Sequence, residues 1–258
     1  MTEFTSAVEN YDRFMGRYAT GLAPKLADAA GVRDGMHVLD VGSGPGALTV
    51  ELAARVGARN VAAIDPAPQF AAVCRARVPG ADVREGFAES LPWDDNAFDA
   101  ALCSLVVAWM DDADKGISEM ARVTKPGGTV AAAMWDLPGG GLEMVSHFWN
   151  AARAIDPSIP DDPPRAGTLE GDLVDRFSRA GLQEVTGGTL ETSVDYADFD
   201  DYWEPFTNAG GPASGAFYAS LDYAGKETLR DLVSASVPEG PFTLPARAWF
   251  AVGTVPTT

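Results

Sequence analysis

The chain has 258 residues, 46% of them hydrophobic, and a formal net charge of −18. That size and apolar content suffice for one buried core with a lid. The acidity, with no basic patch, argues against nucleic acid and anionic membrane surfaces, both of which recruit clustered Lys and Arg; plain solubility or a salt-adapted or high-GC source accounts for it.

Residues 5–31 read as a helical preface, with Tyr11, Phe14, Met15 and Tyr18 at helical spacings. A first strand over 36–41 ends in Val38-Leu39-Asp40-Val41 and runs at once into Gly42-Ser43-Gly44-Pro45-Gly46. A helix follows from Ala47, with apolar residues three and four apart. Strand, glycine turn and helix together open a nucleotide-binding α/β unit, since glycine lets the backbone turn sharply and approach a ligand.

The same residues fit a dinucleotide fingerprint, with Gly42, Gly44 and Ala47 at its small positions. Asp40 separates the two readings. At the tip of the strand its carboxylate opposes a pyrophosphate and attracts a ligand bearing an ammonium and a sulfonium without phosphate, of which S-adenosylmethionine is an example. No Gly-Lys-Ser/Thr follows the glycines, so a P-loop is excluded.

The second strand, 61–65, ends in Asp65, about 20 residues past the glycines, where an acid holding ribose hydroxyls is expected. Asp65 also suits an N-cap ahead of Pro66-Ala67-Pro68. Further strands are expected at 81–85, 98–104 and 129–135. Lys125-Pro126-Gly127-Gly128 reads as a helix stop turning into the strand from Thr129. Gly139-Gly140-Gly141 then breaks the chain before a helix over 142–155, a proline-rich loop over 157–164 and a helix over 169–180. A strand near 182–194 and one at about 242–254 bracket an acidic, aromatic, helical stretch from 195 to 236.

Strands alternating with helices imply an α/β fold: a Rossmann-like, doubly wound, mostly parallel seven-stranded sheet with a helical cap inserted before the last strand. A single domain is expected, its core at about 32–136 and 182–255. Helical cap elements are placed at about 5–31, 142–180 and 195–238.

The ordered motifs resemble the class I S-adenosylmethionine-dependent methyltransferases, and within them the ubiquinone/menaquinone-biosynthesis C-methyltransferase branch. The resemblance covers roughly residues 10–136. It rests on Leu39 to Gly46, Ile64-Asp65, Gly86-Phe87-Ala88-Glu89-Ser90-Leu91-Pro92-Trp93, Phe98-Asp99-Ala100-Ala101 and Glu119 to Gly128. It implies S-adenosylmethionine as cofactor. Asp40, Gly42, Gly44 and Gly46 would face its methionine part, Asp65 and Pro66 its ribose, and Ala88 and Glu89 its adenine edge. Cys103-Ser104 would run beneath the methionine moiety, and Tyr18 would close over the cofactor. Relatives usually carry an acid after the glycine of the Gly-x-Ala-Glu segment, where Phe87 stands here.

Methyl transfer from a sulfonium is an in-line displacement that needs alignment and dryness, with no protein nucleophile. His147 is the candidate base for a hydroxyl acceptor; a half-buried helix histidine is its alternative. Tyr11, Trp109 and Trp203 are candidate walls of a substrate pocket, with core packing the alternative for each. The scarcity of basic residues suggests a neutral or apolar small molecule. Two other functions compete: a nicotinamide-type (NAD) oxidoreductase on a similar fold, and a binding protein that holds S-adenosylmethionine without turnover.

Two cysteines, Cys74 and Cys103, make no disulfide framework, so a cytoplasmic location is expected. His37 and His147 are the only histidines, and no metal site is expected. Met1-Thr2-Glu3-Phe4 lacks the basic start of a secretory leader, and no apolar run approaches the ~20 residues of a membrane span.

Overall fold

A computed structural model describes residues 8–161, 163–207 and 212–257. Seven strands form one sheet: β1 (Val38–Val41), β2 (Val61–Asp65), β3 (Asp82–Glu85), β4 (Phe98–Ser104), β5 (Thr124–Trp135), β6 (Gln183–Tyr196) and β7 (Phe242–Thr254). Their order is β3-β2-β1-β4-β5-β7-β6. β1 to β5 pair in parallel, and β7 runs antiparallel between β5 and β6. β1 and β2 are buried along their whole length, as expected of parallel strands covered on both faces.

Strand order reverses between β1 and β4, and this switch point opens a crevice at the carboxyl ends of the strands. β1 delivers Asp40 there, paired in register with Ala63 on one side and Leu102 on the other.

Helix α1 (Arg17–Ala29) follows a π-helical turn at Asp12–Gly16, and α2 (Ala47–Val56) leaves the glycine turn. α2 starts at Gly46, whose φ of 101° is left-handed, and buries Leu48, Leu52 and Val56 at four-residue intervals. α3 (Pro68–Arg77) has proline in its first turn, and α4 (Ala113–Val123) is capped by Asp112, which accepts from the Lys115 N–H. α5 (Glu143–Ile155) and α6 (Asp172–Arg179) precede β6. α7 (Phe199–Thr207), α8 (Pro212–Ser220) and α9 (Tyr223–Ser234) lie between β6 and β7. The helical insertion before the last strand is therefore present.

One boundary differs. β5 begins at Thr124, so Lys125 to Gly128 lie within the strand. The reason is a partner the local sequence does not reveal: Gly127, left-handed at φ 76°, donates to the Val255 carbonyl, and Val255 donates back to Gly128. The β4–β5 register shifts between Phe98 and Ala100 to accommodate this.

The cap is held by aromatic packing. Phe148 of α5 stacks on Phe206 of α7 at 4.7 Å and 8°, and Phe14 meets Phe206 edge-on at 5.3 Å. Arg17 bonds Asp201 at 3.0 Å, and Arg13 pairs with Glu204, tying the N-terminal helix to α7. Among the described residues no helix is long and apolar enough to cross a membrane.

Candidate functional site

A cavity of about 310 Å³ occupies the crevice at the switch point. Its lining includes the glycine turn (Gly42, Ser43, Gly44), the end of β2 (Asp65, Pro66), the N-terminal helix (Tyr11, Gly16, Thr20) and the segment at and after the end of β4 (Ser104, Leu105, Val106, Trp109), with Asp40 of β1, Leu48 of α2 and Phe70 of α3.

Asp40 forms its floor. It is 1% exposed, and Thr49, in the first turn of α2, donates to its Oδ2 at 2.6 Å. Its Oδ1 is buried without a hydrogen-bond partner. Burial raises its pKa from 3.8 to about 7, against the Thr49 hydrogen bond and reinforced by the nearby Asp65 charge. A buried carboxylate oxygen with no donor is costly in the free protein and is satisfied by a cationic N–H donor.

Asp65 serves two backbones at once. Oδ2 accepts from Gly44 N at 2.8 Å and Oδ1 from Ala67 N at 2.9 Å. The carboxylate thus both fixes the glycine turn against β2 and starts the path into α3. Each oxygen retains acceptor capacity for a further donor. Its pKa is raised by burial, opposed by these two hydrogen bonds.

Gly42 is glycine for two reasons. Its φ of 72° is left-handed, and a Cβ there would sit 2.5 Å from Val106 Cγ2. Val106 in turn follows Leu105, a non-glycine residue at φ 66° that turns the chain off β4 into the cavity wall. Tyr11 stands against Phe70, ring centroids 5.3 Å apart, across the cavity from the glycines. Burial first, then Asp65, Asp12 and Asp40, push its phenol up to about 12. Arg77 pairs with Asp12 and donates to the Pro45 carbonyl at 3.2 Å, linking the π-helical turn to the glycine turn.

Of the residues expected from sequence, the cavity brings together Asp40, Gly42, Gly44, Asp65, Pro66, Tyr11 and Trp109. Seven others lie outside its lining. Gly46 is glycine because a Cβ would come within 3.0 Å of Cys74 Sγ. Tyr18 is fully buried, its hydroxyl 3.1 Å from that of Tyr196. Ala88 is buried, and Glu89 accepts from the Asp112 N–H at 3.2 Å. Cys103 lies inside β4, where burial pushes its thiol up to about 12.

Trp203 stacks on Phe199 and meets Tyr218 edge-on, within the cap. His147 contacts Ser236 Oγ at 3.0 Å on the α5–α9 face, and burial pushes its pKa down. Core packing accounts for Trp203, and the half-buried His147 is engaged by the Ser236 hydroxyl. Phe87, 62% exposed, packs on no ring among the described residues.

The cavity also takes in Ser104, expected beneath the methionine moiety; sequence reading missed Leu105 and Val106 as walls, and Thr49 as the residue that holds Asp40. Only the position directly after β4 signalled the former. Thr49 is apparent in hindsight as a hydroxyl in the first turn after the glycines. Among the described residues no group of His, Cys, Asp and Glu could hold a metal ion.

Residues 39–132 match the family model described as a methyltransferase domain. An uncharacterized methyltransferase of Mycobacterium tuberculosis is 41% identical over 125 residues, 48% of this chain and 49% of that protein. A malonyl-acyl-carrier-protein O-methyltransferase of Pectobacterium atrosepticum is 32% identical over 146 residues, 57% of this chain and 56% of that one. The chain spans about half the length of the curated relatives it matches. A Bacillus halodurans structure described as a candidate methyltransferase has a TM-score of 0.58, covering 91% of this chain and 99% of that one, at 19% identity, a likeness of fold. The chain therefore has the fold of the class I S-adenosylmethionine-dependent methyltransferases and carries their methyltransferase domain over residues 39–132.

Proposed function

We propose that the chain is an S-adenosylmethionine-dependent methyltransferase acting on a small molecule, with the cofactor held in the cavity between the glycine turn and the N-terminal helix. One observation carries the reading: the unpartnered Oδ1 of Asp40, buried at the base of a glycine-lined cavity. A carboxylate so placed favours an ammonium and opposes a diphosphate, which counts against a dinucleotide. The remaining residues fit the same ligand. Asp65 supplies acceptors for ribose hydroxyls, and Gly42 and Gly44 leave room for close backbone approach.

When bound, the cofactor supplies a methyl group activated on a sulfonium. Asp40 then orients the amino-acid end, and Tyr11 and Phe70 exclude water from one side. Ser104, Leu105, Val106 and Trp109 form the wall that an acceptor meets. With a net charge of −18, the acceptor is a small molecule and not nucleic acid. The free cysteines Cys74 and Cys103, both buried, suit a reducing cytoplasm.

Calorimetry of the chain with S-adenosylmethionine, S-adenosylhomocysteine and NAD tests this. The first two bind and NAD does not. Binding of NAD alone refutes the proposal, as does failure of labelled cofactor to pass its methyl to any phenol, amine, thiol, carboxylate or carbon acid.

A further inference from the structure

We infer that Arg165, seated on Trp109, selects an acceptor that carries a carboxylate. The inference rests on the methyltransferase reading and names the substrate class of the same site.

Trp109 lines the cavity yet is 62% exposed, so its indole offers an uncovered apolar face at the cavity mouth. The Arg165 guanidinium lies 4.8 Å from that ring's centroid. Stacking on an aromatic ring holds a guanidinium in place without consuming its in-plane N–H donors. Among the described residues Arg165 has no ion pair, and no protein acceptor meets its side-chain N–H groups.

That is unusual here. The other arginines near the cavity and the cap are committed, Arg77 to Asp12, Arg13 to Glu204, Arg17 to Asp201, Arg176 to Asp114 and Arg230 to Asp200.

The backbone of Arg165 is fixed as well. Its N–H donates to Thr168 Oγ1 at 3.0 Å, and its carbonyl accepts from the same hydroxyl at 2.9 Å. Thr168 is buried, and Gly167, left-handed at φ 80°, donates to Asp172 Oδ2 at the start of α6. The proline-rich loop thus ends in a tight turn that presents one guanidinium beside one exposed indole.

A planar fork with free donors matches a carboxylate in bidentate fashion. One cation balances one negative charge. A phosphate dianion would keep an excess charge in a protein of net charge −18. The geometry therefore favours a monocarboxylate whose apolar body covers Trp109, and it replaces the neutral acceptor expected from composition.

The test uses the full chain loaded with S-adenosylhomocysteine and measures binding of benzoate, phenylacetate and octanoate by ligand-observed NMR. Their primary amides and phenyl phosphate serve as comparisons. At least one acid is expected to bind tenfold or more tighter than its amide and tighter than phenyl phosphate. Arg165→Ala should abolish that preference, Arg165→Lys should retain part of it, and both variants should bind S-adenosylmethionine as the parent does. Equal binding of acids and amides, a preference for the phosphate, binding by none of the three acids, or an acid preference that survives Arg165→Ala would each overturn the inference. These results leave the methyltransferase reading standing, because that reading fails only if the parent chain does not bind or use S-adenosylmethionine.

Discussion

Asp40→Asn removes a charge while nearly preserving shape, and its effect on stability follows from the environment of one carboxylate. In the ligand-free chain, burial raises the Asp40 pKa from 3.8 to about 7. An unfolded chain gives up this proton near pH 4, so between pH 4 and pH 7 only the folded state holds it. The contribution is therefore full at the acid end of that window and is lost as pH rises through 7. The whole effect is about 4 kcal/mol, of which roughly 3 kcal/mol falls between pH 5 and pH 9.

Asparagine cannot ionise and lacks this dependence. It leaves an amide at the position of the unpartnered Oδ1, at a pH-independent cost of about 1–3 kcal/mol. Relative to the parent, the variant should thus gain roughly 3 kcal/mol of stability on going from pH 5 to pH 9. Urea unfolding of both proteins at the two pH values measures this, with Asp65 and other titrating groups cancelling in the difference. A parent-minus-variant difference that does not change with pH refutes the claim that burial outweighs the Thr49 hydrogen bond and raises the Asp40 pKa.

Gly42→Ala places a Cβ 2.5 Å from Val106 Cγ2 and 2.6 Å from Cγ1, at a φ of 72°. Left-handed strain of about 1–2 kcal/mol and overpacking of about 1–3 kcal/mol should together destabilise by ~2–5 kcal/mol. Adding Val106→Ala should restore only the overpacking share, and a double-mutant cycle by urea unfolding that finds the two changes additive contradicts the contact. His147→Gln should leave the methyl-transfer rate within about twofold, because the imidazole is engaged with Ser236 away from the cavity; a loss of ~100-fold or more, the scale of a general base, would return His147 to the chemistry.

The sheet was legible because each parallel strand is an apolar run that stops at a turn. β1, β2 and β4 announce themselves in this way, and Gly42, Gly44 and Asp65 carry local signatures of the turn they build. The residues that resisted reading are those defined by distant partners. Tyr18 and Trp203 have the spacing of a cavity wall, but helical spacing is the same whether a face meets a ligand or a core. Their partners, Tyr196 and Tyr218, lie on elements whose docking no local pattern encodes.

Glu89, expected beside adenine, accepts from the backbone of Asp112, 23 residues on, a contact no local pattern signals. The left-handed Leu105 could not be read at all, since leucine carries no preference for that conformation. Strand pairing across Gly127 and Val255 likewise overrode the breaker character of Pro-Gly-Gly.

The central claim is that the unpartnered carboxylate of Asp40 holds the ammonium of S-adenosylmethionine, and proton linkage tests it most directly. Titration calorimetry at pH 6.5 in two buffers of different ionisation enthalpy counts protons released on binding. Because Asp40 is largely protonated there in the free chain and must ionise to meet an ammonium, the parent should release most of one proton, and Asp40→Asn should bind at least tenfold more weakly and release none. Equal affinity in the two proteins, or no proton release by the parent, would contradict the account.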